Sequence, residues 1–395
     1  MFKVPKNCTG CYACVNICPM ECIDMEEREG GFLYPRINKS LCISCAQCEN
    51  VCPVLHIPET GACSKALAIK NKNDEIRYQS SSGGFFSVLA EWVMNKGGIV
   101  FGAEYTEKFQ VRHVSITNKD QLYKLQGAKY TQSVLGSCLK KVKCELLTGR
   151  LVLFSGTPCQ CAALQSFLGK KYKNLIMADL VCHGVPAPKV WEAYIEHRIK
   201  KENNGLLPVR INMRSKVSGW SYYGYSIEFD YGQNKRTYIH NSDDLFMKSF
   251  ISNLCLRESC SKCKFKGVNR CTDFTLGDYW GIWNQISNFD DNKGVSVVFV
   301  HSDKGKSILD VLSSDCNILE VKIEDAYKDN PSVVSSSKLH AGRDDFLRKI
   351  DSLSFEEQVE KFLSTNNIEN INLMKKIIRK IGSLRTKERT KMHND

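Results

Sequence analysis

Long apolar runs are missing from this sequence. The longest, such as Val295–Val300, fall far short of the roughly 20 residues that a membrane-spanning helix needs. No apolar stretch follows Met1-Phe2-Lys3-Val4-Pro5 either. Cys8 comes almost at once, so a secretory leader is not expected. Compositional bias that would prevent a packed core is also lacking. Apolar residues make up 43% of 395, which excludes a disordered or collagen-like chain and predicts two or three domains. Net positive charge away from the C-terminus is small as well. Half of the formal net charge of +12 sits on residues 375–395, where eight Lys/Arg face only Glu388 and Asp395. A basic folded face for nucleic acid is therefore not expected.

Cysteine is what the sequence has in excess. There are twenty, and nine fall between Cys8 and Cys52. A secreted disulfide scaffold suits short chains without a core, and this chain is long. The expectation is a cytoplasmic protein whose clustered cysteines bind metal or do redox chemistry. Two runs repeat one spacing: Cys8-x2-Cys11-x2-Cys14-x3-Cys18-Pro19 and Cys42-x2-Cys45-x2-Cys48-x3-Cys52-Pro53. This is the bacterial dicluster ferredoxin pattern, in which the fourth cysteine of each run ligates the other cluster. It predicts one [4Fe–4S] cluster on Cys8, Cys11, Cys14 and Cys52, and a second on Cys42, Cys45, Cys48 and Cys18. A thiolate at every third residue can wrap three corners of a cubane, and the crossed ligand makes both clusters one folding unit. Structural zinc is the competing use of Cys-x2-Cys pairs. It gives no reason for three close cysteines plus a Cys-Pro, twice. Cys22 lies outside the pattern and reads as a buried thiol.

Beyond a linker with Pro58 and Gly61, short apolar runs alternate with helical patterns. Phe85, Val88, Leu89, Trp92 and Val93 follow helical periodicity. Helices are expected at Val134–Leu147, Pro158–Leu168 and Pro188–Lys201, and strands at Ala66–Ile69, Ile99–Phe101, Val111–Thr117, Leu151–Phe154 and Leu175–Val181. After Pro208 the texture turns to aromatic strands (Tyr222–Asp230) and cysteine-rich loops. Val295–Val300 and the helix after Asp303 read as one more β-α unit. The fold class is α/β (α+β overall), with parallel strands: a dicluster ferredoxin domain fused to an α/β body with a cysteine-rich insertion. The expected division is 1–58 for the ferredoxin, 65–145 and 146–330 for the two parts of the body, and 331–395 for a helical basic tail.

Three places in the body could carry chemistry. Gln79-Ser80-Ser81-Ser82-Gly83-Gly84 precedes the Phe85 helix, and a turn there offers N–H groups to an anion. A capped turn is the blander use of the same residues. Thr157-Pro158-Cys159-Gln160 has the form of a capping box with proline at N1, which puts Cys159 in a first helical turn, where the dipole favours thiolate. Val181-Cys182-His183-Gly184 ends a neighbouring strand, so Cys159 and Cys182 fall at one sheet edge. Cys255-x4-Cys260-x2-Cys263-x7-Cys271 could form a metal site unaided, or Cys260 and Cys263 could join Cys159 and Cys182. Spacing alone leaves both open.

Taken together, Ser81-Ser82-Gly83-Gly84-Phe85, Gln126 to Ser133, Gly156-Thr157-Pro158-Cys159-Gln160, Cys182-His183-Gly184, Cys260-x2-Cys263 and Asp273-x3-Gly277-Asp278-Tyr279-Trp280-Gly281 resemble the coenzyme F420 hydrogenase/dehydrogenase beta-subunit family. The resemblance covers most of residues 65–285. It implies a flavin, FAD, held by Ser81, Ser82, Gly83, Gly84, Lys129, Tyr130, Gln132, Ser133, Gly156 and Thr157, with Lys129 offsetting negative charge on the reduced ring. It also favours Cys159, Cys182, Cys260 and Cys263 as ligands of a third [4Fe–4S] cluster, with Cys255 and Cys271 as second choices.

The expected function is an iron–sulfur flavoprotein oxidoreductase that moves electrons between the ferredoxin clusters, FAD and an organic substrate or deazaflavin-like carrier. The alternative is an adaptor that delivers electrons to a separate catalytic partner. His183 is a candidate proton donor, and Asp278 a candidate lining of the flavin or substrate site. Partners are a redox protein or a small molecule, with no nucleic acid and no membrane span. Ile377, Ile378 and Ile381, with Lys375, Lys376, Arg379 and Lys380, read as a short basic amphipathic helix able to dock on an acidic partner or a membrane surface.

Overall fold

The computed structural model describes residues 2–202, 205–221, 224–352 and 354–364, so the tail segment around Ile377 lies outside the described residues. Nine strands form the main sheet, in the order Cys316–Val321, Lys65–Asn71, Ser296–Val300, Phe274–Asp278, Leu175–Leu180, Val152–Gly156, Ile99–Tyr105, Val111–Ile116 and Ser133–Val134. Both expected parts of the body, 65–145 and 146–330, contribute strands to it. The four central strands, from Phe274–Asp278 to Ile99–Tyr105, run parallel. Ser296–Val300 and Lys65–Asn71 are antiparallel to their inner neighbours, and Val111–Ile116 is antiparallel to Ile99–Tyr105.

The sheet is therefore mixed, not parallel throughout as the alternation predicts. Parallel neighbours need a crossover, and Pro158–Leu168 supplies one between Val152–Gly156 and Leu175–Leu180. The short link between Tyr105 and Val111 permits only a hairpin. Ser296–Val300, helix Asp303–Leu312 and Cys316–Val321 do form the expected β-α unit, with Lys65–Asn71 between the two strands. The central strands are buried along nearly their whole length, which suits their Val, Leu, Phe and Ile content.

Two expected elements start later than predicted. The helix placed at Val134–Leu147 is Cys138–Leu147, because Ser133–Val134 is taken into the sheet edge. The strand placed at Tyr222–Asp230 is Ser226–Asp230, central in a three-stranded antiparallel sheet with Arg210–Ser215 and Arg236–His240; Tyr222 itself lies outside the described residues.

The N-terminal module has a two-stranded sheet, Ile23–Glu27 with Leu33–Ile37, and helices Ala13–Ile17 and Gln47–Asn50. It shares a core with the body: Tyr12, Ala13 and Val51 pack with Leu139, Val142, Leu164 and Phe167. Within 331–395, helices Arg343–Arg348 and Phe355–Ser364 bury Phe346, Leu347, Phe355 and Val359 in the aromatic core around Trp191 and Tyr194. That much of the expected tail is body. Among the described residues no helix is long and apolar enough to cross a membrane.

Candidate iron–sulfur and cavity site

The structure places Cys52 beside the first run and Cys18 beside the second. Burial pushes the Cys11 thiol up to about 12, and the neighbouring Cys8 and Cys52 add to it. Cys14 is raised by burial and then by Cys11, Cys8 and Cys52. Cys52 is thus brought to the first run. Cys18 joins the second: it lines one small cavity with Cys42, Cys45 and Cys48. Cys22 lines it too and lies 3.4 Å from the Cys18 sulfur. Cys45 is exposed, so the second set opens to the surface, while Cys8 and Cys52 are buried.

A third set gathers in the body. Pro158 and a complete Thr157/Gln160 capping box start the helix that carries Cys159, whose sulfur is 3.2 Å from the Thr157 hydroxyl. Burial raises the Cys159 thiol, and Cys263, Cys182 and Cys11 raise it further. The helix terminus does not yield a low thiol here, because loss of solvent outweighs the dipole. Cys182, pushed up to about 12 by burial, feels Cys260 and Cys263; Cys260 feels Cys159 and Cys263. The Val185 N–H donates to the Cys260 sulfur at 3.4 Å, and Lys266 donates to the Cys182 carbonyl. The two second-choice cysteines differ. Cys255 is fully buried in the aromatic core beside the Ser249 hydroxyl. Cys271 borders the same apolar cluster as Cys159 and Cys263, but the charged groups it feels are Asp179, Arg270 and Asp273.

Among the described residues no three His, Cys, Asp or Glu side chains close round a single ion. Because Cys11 acts on Cys159, the first set adjoins the third. The sets follow one another from the exposed Cys45 to the body.

The third set faces a cavity of about 1200 Å3. Cys159 and Cys182 are on its wall, with Ser81, Ser82 and Gly84, Lys129 to Ser133, Gly156, Thr157, His183 and Asp278. Thr9 and Gly10, between two cysteines of the first set, reach it as well. Burial lowers Lys129 to about 7, and its ammonium donates to the Gln126 carbonyl at 2.9 Å. The Gln132 amide oxygen accepts from the Leu33 N–H at 3.2 Å, while its buried Nε2 has no partner. The Ser133 hydroxyl is 2.7 Å from His113 Nδ1.

Two expected roles are corrected. Gly83 is not on the cavity wall, and its N–H is not free: it donates to the Ser296 hydroxyl at 2.9 Å. The Ser82 hydroxyl is likewise spent on the Val295 carbonyl at 2.8 Å. The uncapped donors follow at once: Gly84 stands at the N-cap with φ 85°, no side chain caps helix Phe85–Asn95, and Phe85, Phe86 and Ser87 line the cavity. His183 is not a ready proton donor. Nε2 is 2.6 Å from Asn253 Oδ1, and Asn253 is fixed by donating to the Lys338 carbonyl, so Nε2 carries the proton and donates it there. Burial also holds His183 below its ordinary pKa, in the neutral form.

Sequence reasoning missed three cations that no motif marks. Lys216 donates to the Ser82 carbonyl at 2.7 Å and to that of Arg77, fixing the serine turn. Arg214 lines the cavity, stacked 3.8 Å above Tyr225, with its Nη2 3.3 Å from the Asp278 carboxylate. Arg257 joins the N-terminal module to the body.

Residues 7–55 match the 4Fe-4S dicluster domain, which defines an iron–sulfur electron-transfer protein. Residues 149–326 match the family described as the C terminus of the beta subunit of coenzyme F420 hydrogenase/dehydrogenase. The C-terminal part of that beta subunit is thus matched by residues 149–326, with a dicluster domain in front of it at residues 7–55. No curated protein matches it. A solved structure of the F420-reducing [NiFe] hydrogenase complex from Methanosarcina barkeri, derivatised with xenon, includes a chain that is 15% identical. The match covers 77% of this chain and 91% of that one, at a TM-score of 0.44.

Proposed function

We propose that the chain is a flavin-dependent oxidoreductase fed through three [4Fe–4S] clusters, the third held by Cys159, Cys182, Cys260 and Cys263. One observation carries this reading: a single 1200 Å3 cavity has two thiols of the third set on the same wall system as an uncapped helix N-terminus. Ligand pockets usually run to about 1000 Å3, so there is room for FAD and part of a substrate. When bound, flavin supplies the exchange between one-electron transfer and two-electron chemistry on an organic molecule.

The chain's own residues fit that group. The N–H groups of Phe85 to Ser87 and the dipole behind them suit the diphosphate. Lys129, neutral or charged near pH 7, can take up or release a proton beside the ring as its charge changes. Arg214, a cation on the cavity wall, suits an oxyanion of the cofactor or the substrate. Its guanidinium is balanced by Asp278, so Asp278 orients this arginine instead of transferring a proton. The exposed Cys45 set is the entry for electrons from a redox partner.

Anaerobically purified protein is expected to release about one FAD per chain with acid, and to show flavin bands over a broad iron–sulfur shoulder. With a one-electron donor, the bound flavin should bleach through the clusters. A chain with clusters and no flavin, even after incubation with FAD, would reject the oxidoreductase reading and leave the electron-delivery adaptor.

A further inference from the structure

Arg257 is 1% exposed, and all its hydrogen-bond acceptors are neutral. Nε donates to the Cys8 carbonyl at 2.9 Å, Nη1 to Gln132 Oε1 at 3.1 Å, and Nη2 to the Leu33 carbonyl at 2.9 Å. The guanidinium lies 4.0 Å from the Tyr34 ring centroid and 5.3 Å from that of Phe32. Four other buried arginines are balanced: Arg77, Arg214, Arg270 and Arg343 each lie within 3.9 Å of a carboxylate. Among the described residues Arg257 forms no such pair. A buried guanidinium keeps its proton, so an unbalanced one costs several kcal/mol.

What flanks Arg257 is a pair of cysteines: its Nε donates to the Cys8 carbonyl at 2.9 Å, and the Cys260 N–H donates to the Arg257 carbonyl at 3.0 Å. One cysteine belongs to the first set and the other to the third. A [4Fe–4S] centre with four thiolates is a net anion, and its potential rises when nearby cations favour the extra electron.

We infer that Arg257 takes its counter-charge from two iron–sulfur clusters at once, bridging the last ferredoxin cluster to the body cluster, holding their spacing and raising both potentials. This rests on the proposed ligand sets. The geometry makes Arg257 a positioning residue: it touches the Cys8 carbonyl and the Leu33 carbonyl on one side and is chained to Cys260 on the other. Its aromatic bed of Tyr34 and Phe32 keeps the fork in plane.

The test is an EPR-monitored redox titration of the full chain and of Arg257→Met and Arg257→Lys, with iron counted in each. Arg257→Met should keep the iron and lower the midpoints of two centres, leaving the exposed Cys45 centre unmoved. Arg257→Lys should fall between. Full iron with unmoved midpoints in Arg257→Met would overturn the inference. If Arg257→Met does not load, Arg257→Lys decides: loading rescued by the ammonium supports the charge role, and loss in both variants overturns it. Iron near eight in the unsubstituted chain would instead reject the third ligand set, a separate failure.

Discussion

Cys159→Ser is expected to lose about four irons and keep about eight. The eight belong to the Cys8 and Cys42 sets, whose ligands all lie in the N-terminal module. The loss follows from position: Cys159 is the thiol through which the first set and the third set act on each other. Serine keeps the Thr157 capping box, because the cap runs between Thr157 and Gln160. The fold should therefore survive, and dithionite should still bleach any flavin directly. Bleaching through the ferredoxin clusters should slow by orders of magnitude, since the middle carrier is gone. Cys271→Ser and Cys255→Ser should keep all the iron. Iron analysis with rapid-mixing absorbance checks both halves. Iron lost in Cys271→Ser and kept in Cys159→Ser would move the cluster to the 255–271 loop.

Gly83→Ala should be as damaging to the cavity as Cys159→Ser is to the iron. A Cβ at Gly83 would stand 2.1 Å from the Ile69 carbonyl oxygen and 2.5 Å from the Ser296 N–H nitrogen. Both are backbone atoms of paired strands, so neither can swing aside. The turn would have to leave the sheet, breaking Gly83 N–H to Ser296 and the Asn71 N–H to Gly83 carbonyl bond at 2.8 Å. A loss of about 3 kcal/mol is expected, read as a lower urea midpoint, with flavin content falling as the Phe85 helix shifts. Ser81→Ala is the control, because its carbonyl and not its hydroxyl is used, by Trp220 at 3.2 Å. It should stay within about 0.5 kcal/mol. Equal midpoints for the two variants would contradict the packing account.

The dicluster domain was legible because its cysteine pattern is local: spacing in the chain fixes which thiols can meet. The capping box at Thr157 was legible for the same reason, all its parts lying within one turn. Sheet direction was not, because periodicity reports burial and not the path of the connection; the Tyr105–Val111 hairpin shows this. Roles decided by distant partners were lost as well. Gly83 looked like an open donor until Ser296, from a strand over two hundred residues away, took its N–H. His183 looked free until Asn253 was placed beside it. Arg214 and Arg257 carry no motif. Their meaning comes from the cavity wall and, for Arg257, from the lack of an ion-pair partner among the described residues, which only the folded chain reveals.

The most direct test of the account is the iron and acid-labile sulfide content of the anaerobically purified full chain, measured beside its zinc. Three cubane centres predict about twelve irons and about twelve sulfides per chain, with zinc near zero. About eight irons would remove the body cluster and the route from the exposed Cys45 set to the cavity, and zinc in place of iron would contradict the account as a whole.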